Sequence, residues 1–230
     1  MLTLEGIRVR RGEFTLSADF SVAAGTRTAV IGPSGAGKST LFDVIAGFEV
    51  PELGRVLWQG RDLAGVAPGG RPISVLFQDN NLFAHLTAAQ NVGLALNPGL
   101  RLSADDKARV AQALARVGLE GLEGRKPGAL SGGQQGRVGL ARILLTARPL
   151  VLLDEPFSAL GPALKSEMLR LLAEVLDETG ASLLMVTHEP QDAAAIAGQT
   201  VLVSGGVAHA PVDTARLLAD PPPELKDYLG

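Results

Sequence analysis

The chain has 230 residues and no cysteine, and its 21 basic and 24 acidic side chains leave a formal net charge of −3. The near balance of charge argues against a nucleic-acid or anionic-membrane partner, and the absence of cysteine excludes disulfides, thiolate metal sites and a cysteine nucleophile. The N-terminus lacks the basic-then-apolar layout of a signal peptide, and no apolar run approaches the ~18–20 residues that span a bilayer, so we expect a soluble cytoplasmic protein.

The first third of the chain predicts strands and one helix around a glycine-rich loop. Residues 14–20 alternate apolar and polar side chains, which is typical of a half-buried antiparallel strand. Residues 28–31 predict a buried strand before the loop, and the apolar spacing over residues 41–48 predicts a helix after it. A turn at residues 51–54 leads into a small β-layer, and residues 73–77 predict another buried strand.

The rest of the chain predicts a helical region and then a return to buried strands. Ser103 with Asp106 fits a capping box, and the helix that it begins has one apolar face. A buried strand at residues 150–153, an amphipathic helix, a strand at residues 182–187 and a final hairpin complete the chain. We therefore expect an α/β fold with a mostly parallel core sheet, an antiparallel β-layer and a helical insertion that begins near residue 80.

Residues 32–40 match the pattern Gly-x-x-x-x-Gly-Lys-[Ser/Thr] between a predicted strand and a predicted helix. Glycines let successive backbone N–H groups point into one cavity at the positive end of the helix dipole. Lys38 would reach the β- and γ-phosphates of a nucleotide, and the Ser39 hydroxyl would ligate Mg²⁺. The alternative is a glycine-rich turn that binds nothing, which the complete pattern disfavours. The predicted nucleotide-binding residues are Gly32, Pro33, Ser34, Gly35, Ala36, Gly37, Lys38, Ser39 and Thr40.

Two acidic residues follow the apolar residues 150–153. Asp154 ends a predicted parallel strand, and open α/β sheets place ligand-binding groups at the carboxyl ends of such strands. Asp154 can therefore hold the Mg²⁺ that Ser39 also ligates. Glu155 can polarise a water against the γ-phosphate as a general base. Two solvated carboxylates at a strand end are the alternative, which the presence of Lys38 makes less favoured.

Residues 130–134, Leu-Ser-Gly-Gly-Gln, begin another predicted helix. Ser131 is a favourable N-cap, and the two glycines allow an anion to approach the helix N-terminus closely. A flexible turn into a helix is one interpretation. The other is a second phosphate-binding terminus, and because one chain rarely needs two for one phosphate group, it would serve a nucleotide held by another copy of the chain.

The order of residues 32–40, Gln78, residues 130–134, residues 150–155 and His188 resembles the nucleotide-binding subunit of an ABC transporter, and the resemblance covers essentially the whole chain. It implies a P-loop NTPase fold of ABC type. It also implies that Gln78 senses Mg²⁺ and the attacking water while contacting the membrane partner, and that His188 contacts the γ-phosphate. Gln78 or His188 alone would carry no such meaning.

The resemblance further implies the domain organisation and the partners. A RecA-like core with its β-layer would cover about residues 1–79 and 147–230, and a helical subdomain about residues 80–146. Two chains would form a head-to-tail dimer on binding ATP. The dimer would work with integral membrane permease subunits and, indirectly, with a periplasmic solute-binding protein, at the cytoplasmic face of the inner membrane. The residues expected to meet the partner's ATP are Ser131, Gly132, Gly133 and Gln134.

A narrower resemblance lies in residues 77–102, with support from residues 45–48 and 154–160. These stretches are similar to the ATPase subunit of bacterial thiamine importers, which implies thiamine or its phosphates as the transported solute. Importers of polyamines or ferric iron share the framework and stay as alternatives. A soluble ABC ATPase acting on DNA or ribosomes is disfavoured, because those relatives carry a long coiled-coil insertion or two ATPase units. An exporter subunit is also disfavoured because exporter ATPases are often fused to their membrane segments, although a separate exporter subunit stays as an alternative.

Two positions depart from the family pattern. Gly161 replaces the usual aspartate that helps to couple the two ATP sites of the dimer, although glycine before Pro162 suits the start of a helix. Arg11 stands where the family usually stacks an aromatic side chain on adenine, and Phe14 is the nearest aromatic residue. A guanidinium can also stack on a base, so Arg11 is expected at the nucleotide with weak base selectivity.

Overall fold

The computed structural model describes residues 1–78 and 81–229. The strands are β1 (Leu2–Arg11), β2 (Phe14–Val22), β3 (Arg27–Ile31), β4 (Leu53–Trp58), β5 (Arg61–Asp62), β6 (Ile73–Leu76), β7 (Leu150–Asp154), β8 (Ser182–Val186), β9 (Gln199–Ser204), β10 (Val207–Ala208) and β11 (Val212–Asp213). The helices are α1 (Lys38–Ala46), α2 (Ala88–Gly93), α3 (Ala104–Arg116), α4 (Gly132–Thr146), α5 (Pro162–Thr179), α6 (Pro190–Ile196), α7 (Thr214–Ala219) and α8 (Pro223–Leu229).

The described strands form one mixed sheet in the order β5-β4-β1-β2-β10-β9-β3-β8-β7-β6, with β11 paired to β9. The central pairs β9–β3, β3–β8 and β8–β7 are parallel. The pairs β5–β4, β4–β1 and β1–β2 are antiparallel. All residues of β8 and the last four of β3 are buried, which agrees with their nearly continuous apolar sequences. The predicted mostly parallel core with an antiparallel β-layer is thus confirmed.

Strand β4 begins inside the stretch that was predicted to be a turn. The Glu52 N–H donates to the Arg8 carbonyl oxygen at 2.8 Å, and Leu53 pairs with Arg8 across β1. Pairing with β1 therefore recruits the second half of the predicted turn into the sheet, because backbone groups beside a strand edge gain hydrogen bonds there. The predicted hairpin near the C-terminus is confirmed as the antiparallel pair β9–β10.

The described chain packs as two units. The first comprises residues 1–75, residues 150–155 and the chain from residue 181 onward, and it contains the sheet. The second comprises residues 76–149 and 156–180, and it contains α2, α3, α4 and α5. Residues 79 and 80, where we expected the helical region to begin, lie outside the described residues. The described helices include none that is long and apolar enough to cross a membrane.

Three helices of the second unit begin with a capping box, in which the cap side chain and the third helical residue satisfy each other's backbone N–H groups. The caps are Thr87 for α2, Ser103 for α3 and Ser131 for α4. The capping box predicted at Ser103 is therefore confirmed. Helix α5 begins at Pro162 after an extended Gly161 that offers no side-chain cap, and an added Cβ at Gly161 would meet no atom within 4 Å.

The end of α1 is held by one buried guanidinium in the first unit. Arg71 is 8% exposed, and its Nη1 donates to the carbonyl oxygens of Val44 at 2.9 Å and Ile45 at 2.7 Å. Its Nε and Nη2 donate to the carbonyl oxygens of Val66 and Leu63. Arg71 thereby satisfies carbonyl groups that the end of a helix leaves without intrahelical partners. Burial lowers the pKa of the guanidinium, which nevertheless remains charged.

Gly47→Ala should destabilise the protein more than a glycine substitution that meets no neighbour. Gly47 ends α1 with φ 88°, and a Cβ there would lie 2.4 Å from Arg71 Nε. The left-handed backbone costs about 1–2 kcal/mol, and displacing the guanidinium adds roughly 1–3 kcal/mol in the free energy of unfolding. Gly25→Ala is the control, since Gly25 has φ 73° but open space around its Cβ position. Equal losses for the two variants in urea titrations would show that Arg71 simply moves aside.

Candidate nucleotide-binding and catalytic site

A glycine-rich loop joins β3 to α1 in a shape that only glycine allows at two points. Gly32 has φ 151° and Gly37 has φ 109°. A Cβ on Gly32 would lie 2.0 Å from the Val203 carbonyl oxygen, and one on Gly37 would lie 2.8 Å from Phe14 Cζ. Gly37 is the N-cap of α1 and provides no side-chain cap, so the first N–H groups of α1, from Lys38 onward, can donate to a bound anion.

Lys38 places its ammonium over this loop. Its Nζ donates to the carbonyl oxygens of Gly32 at 2.7 Å and Pro33 at 2.9 Å. Burial lowers the pKa of Lys38, while the charges of Glu155 and Asp154 oppose that shift. The parallel pairs β3–β8 and β8–β7 bring the loop that follows β3 and the two acidic residues that end β7 to the same edge of the sheet. Such an ammonium between a loop of N–H groups and two carboxylates is suited to a phosphate chain that carries a divalent cation.

The two predicted acidic residues stand where β7 ends beside β8. Asp154 pairs with Val186 in the parallel ladder, and the Glu155 N–H donates to the Val186 carbonyl oxygen at 3.0 Å. Glu155 has φ 47°, a left-handed conformation that is uncommon outside glycine and clusters at functional sites. Burial raises the pKa of Asp154, with further contributions from the charges of Glu155 and Asp43, while Lys38 opposes the shift.

His188 follows β8 and contacts the second carboxylate. Its Nδ1 lies 3.2 Å from Glu155 Oε2, and its Nε2 lies 3.7 Å from Glu189 Oε1. Thr187 fixes this turn, since its N–H donates to the Val30 carbonyl oxygen at 3.1 Å and its hydroxyl accepts from the Glu189 N–H at 3.1 Å. The ends of β3, β7 and β8 therefore bring the histidine and the glutamate together, although 33 positions separate Glu155 and His188 in the chain.

The donor types of the first unit fit a magnesium ion shared with phosphates. Ser39 is an exposed hydroxyl in the first turn of α1, and Asp154 is a half-buried carboxylate at a strand end. Mg²⁺ is typically held by one or two protein oxygens together with substrate phosphates rather than by a cage of protein ligands. Residues 1–78 and 81–229 contain no group of three or more His, Asp or Glu side chains that could hold a metal ion.

The second unit contains the predicted site residues Gln78 and 131–134. Gln78 is exposed and follows β6. Ser131 is exposed at the N-cap of α4, where its hydroxyl accepts from the Gln134 N–H and its own N–H donates to Gln134 Oε1 at 3.0 Å. Gly133 is buried, and a Cβ there would lie 2.7 Å from Leu164 Cδ2. Of the two glycines, only Gly132 is exposed to an incoming anion, whereas Gly133 is needed for packing against α5.

Arg11 has two carboxylate partners, one on α1 and one after it, that no pattern in the sequence predicts. Its Nη2 lies 3.0 Å from Asp43 Oδ2, and its Nε donates to Glu49 Oε1 at 3.2 Å. These hydrogen bonds raise the pKa of the Arg11 guanidinium. The partners lie 32 and 38 positions away, so no helical or strand spacing connects them. Only the pairing of β1 with its neighbours and the packing of α1 could have revealed this contact.

The fold and this site define a class of proteins. The profile of the ABC transporter family matches residues 16–158 of the chain. The chain therefore belongs to the ABC transporter family, as its motifs predicted. Among solved structures, cbiO1 from Clostridium perfringens, which is part of the ABC transporter complex cbiONQ, has a TM-score of 0.83 with 29% sequence identity and covers 95% of this chain and 90% of its own.

More similar sequences narrow the comparison within the family. The thiamine import ATP-binding protein ThiQ of Cereibacter sphaeroides is 62% identical over 230 residues, which is the full length of both chains. The protein of that name from Ruegeria sp. is 54% identical, also over both full lengths. The one from Photorhabdus laumondii is 47% identical and covers 97% of this chain and 95% of its own. The predicted resemblance to the ATPase subunits of thiamine importers is therefore confirmed.

Proposed function

We propose that this chain is the ATP-hydrolysing subunit of a membrane importer for thiamine or its phosphates. The assignment of the solute rests on the 62% identity, over the full length, to a thiamine import ATP-binding protein. The observation that carries the reaction is the site at the ends of β3, β7 and β8, where Lys38, Asp154, Glu155 and His188 interact. The solute rests on similarity alone, since residues of an ATPase site do not recognise the transported molecule.

The chemistry follows from the position of each side chain. Lys38 and the N–H groups of its loop bind the β- and γ-phosphates. Glu155 accepts a proton from the water that attacks the γ-phosphate, and the left-handed backbone at Glu155 turns the chain away from the strand just after Asp154. His188 holds the Glu155 carboxylate and contacts the γ-phosphate. Together these groups position water and phosphate in line for displacement.

Ser39, Asp154 and Gln78 would hold Mg²⁺ with the nucleotide. When bound, the ion would act as a Lewis acid and neutralise the negative charge that develops on the phosphates. Burial raises the pKa of the half-buried Asp154 carboxyl, and a bound cation would oppose this shift by favouring the ionised carboxylate.

We further propose that ATP binding joins two copies head to tail. In this arrangement Ser131, Gly132 and Gln134 meet the nucleotide held by the partner, while Gly133 packs against Leu164 of α5. The ATPase dimer acts on integral membrane permease subunits at the cytoplasmic face of the inner membrane, and through them on a periplasmic solute-binding protein. Supporting this arrangement, Ser131 and Gly132 are exposed at a fully formed helix N-terminus.

Ser131→Arg should leave ATP binding by the single chain intact but block the ATP-driven dimer. The reason is that the altered residue would face the partner's nucleotide, so the substitution acts only when two chains meet. The readouts are calorimetry for the monomer and size-exclusion chromatography with MgATP for the dimer. Ser103→Arg is the matched control, because Ser103 caps α3 with the same capping box. If both variants lose dimers equally, loss of a helix cap, worth about 1 kcal/mol, explains the effect.

Uptake in cells that lack this chain tests the transported solute. Radiolabelled thiamine uptake should fall in such cells, and the parent chain should restore it. Unlabelled thiamine should compete with the label, whereas polyamines and ferric iron should not. Competition by a polyamine or by iron instead would assign the chain to one of those related importers while leaving the ATPase reaction unchanged.

A further inference from the structure

The tip of the β1–β2 hairpin places two side chains next to each other. Arg11 and Phe14 are paired across the antiparallel ladder, and only Gly12 and Glu13 lie between them. Gly12 has φ 61°, which a tight two-residue turn requires. Directly paired residues project to the same face of a sheet. The side chains of Arg11 and Phe14 therefore project from the same face of the hairpin tip, and the tight turn fixes the distance between them.

Both side chains contact the region of α1, at opposite ends of the helix. The Phe14 ring lies against Gly37, the residue just before α1, with Cζ 2.8 Å from where a Cβ would be. Arg11 reaches the other end, where its guanidinium bonds to Asp43 Oδ2 at 3.0 Å and to Glu49 Oε1 at 3.2 Å. The hairpin tip thus contacts α1 near both ends. Phe14 contacts Gly37 of the phosphate loop, and Arg11 contacts Asp43 and Glu49.

The ionic contact is more favourable than an isolated surface pair. Arg11 has a side chain that is 48% exposed, but Asp43 and Glu49 are only 27% and 19% exposed. A guanidinium that bonds to two partly buried carboxylates by separate N–H groups is held in one orientation. Removing it would leave the carboxylates unpaired near Asp154, to which the Asp43 charge is already coupled.

We propose that Arg11 is a positioning residue of the nucleotide site: by tying the hairpin tip to Asp43 and Glu49, it keeps Phe14 against Gly37 and so fixes the phosphate loop. This inference rests on the proposed ATP-binding function of that loop. Arg11 acts on the phosphate chain through the loop and does not read the base. Nucleotides with different bases, and a phosphate chain with no base at all, therefore depend on Arg11 to the same extent.

Binding of Mg²⁺ complexes of ATP, GTP and inorganic tripolyphosphate to the full chain tests the proposal. Calorimetry should show that Arg11→Ala lowers the affinity for all three ligands by a similar factor, about three- to tenfold. Arg10→Ala is the matched control, since it removes the same charge from the neighbouring position, where Arg10 pairs with the exposed Glu52 at 3.3 Å. The control variant should bind all three ligands like the parent chain.

The double variant Asp43→Asn with Glu49→Gln separates positioning from simple charge. If Arg11 acted only as a nearby positive charge, removing two negative charges would strengthen binding of these anions. If Arg11 positions the loop, the double variant loses its anchor and binds tripolyphosphate more weakly, as Arg11→Ala does. Measuring the thermal midpoints of all variants and binding well below them keeps stability from entering the comparison.

Three outcomes would overturn the proposal. A loss for ATP with tripolyphosphate unchanged would make Arg11 a base contact. If Arg11→Ala binds every ligand as the parent does, Arg11 has no positioning role. If the double variant binds more tightly, Arg11 acts only through its charge. Failure of the parent chain to bind both ATP and tripolyphosphate would instead contradict the proposed function of the phosphate loop itself.

Discussion

Replacing Glu155 with Gln should slow ATP hydrolysis by ~10²–10⁴, or ~3–5 kcal/mol of activation barrier, while ATP still binds. Glutamine keeps the size and the hydrogen bonding of the side chain but cannot accept the proton of the attacking water. The substitution also removes a negative charge that would face the γ-phosphate at the interface of the proposed dimer. The ATP-loaded dimer should therefore persist long enough to be seen by size-exclusion chromatography.

Glu189, the second carboxylate beside His188, provides the control for Glu155→Gln. Glu189 Oε1 lies 3.7 Å from His188 Nε2, so Glu189→Gln makes the same chemical change on the opposite side of the ring. It should hydrolyse ATP nearly as the parent does. A Glu155→Gln variant that retains the parental rate with its membrane partner would refute the general-base assignment. Gln78 or His188 would then have to organise the water.

Lys38→Ala should weaken MgATP binding by at least ~100-fold in calorimetry. The ammonium makes charge-assisted hydrogen bonds worth roughly 1.5–3 kcal/mol each, and alanine supplies no donor in its place. Its bonds to the carbonyl oxygens of Gly32 and Pro33 also hold the loop, so both attraction and shape are lost. The expected loss is larger than any predicted for Arg11, which touches the loop only through Phe14.

A lysine elsewhere in the first unit separates this effect from a change of net charge. Lys226 is exposed and lies 3.8 Å from Asp220, so Lys226→Ala removes the same charge far along the chain from the loop. It should bind MgATP like the parent chain. If Lys38→Ala binds MgATP with the parental affinity, the assignment of the phosphate loop is wrong, whatever affinity Lys226→Ala shows.

Local patterns were sufficient to predict most of the fold. The capping box at Ser103, the N-cap at Ser131, the buried apolar strands and the Asp154 strand end each depend on residues that are close in sequence. The exception at residues 51–54 has a physical cause, because Leu53 is drawn into β4 by pairing with Arg8 of β1, more than 40 positions earlier. A turn signal cannot anticipate a strand edge that distant residues supply.

The site was predicted through its motifs, and its geometry was not. The roles of Lys38 and Glu155 followed from residue type and spacing, whereas the contact between Glu155 and His188 depends on two strands lying side by side. The same limit applies to Arg11, whose partners are set by packing across the first unit. Gly133 is a third case. Its sequence context predicted an anion-binding role, whereas in the structure it packs closely against Leu164.

The strand order also determines when this protein can fold during its synthesis. The central strand β3 is flanked by β8 and β9, which are synthesised about 155 and about 172 residues later. At about 5–20 residues per second, the phosphate loop would wait roughly 8–34 s for the strands that hold it. Closing such long loops slows folding, because chain entropy is lost before the contacts that offset it form. The glycine-rich loop is thus among the first functional segments to be made and among the last to acquire its shape.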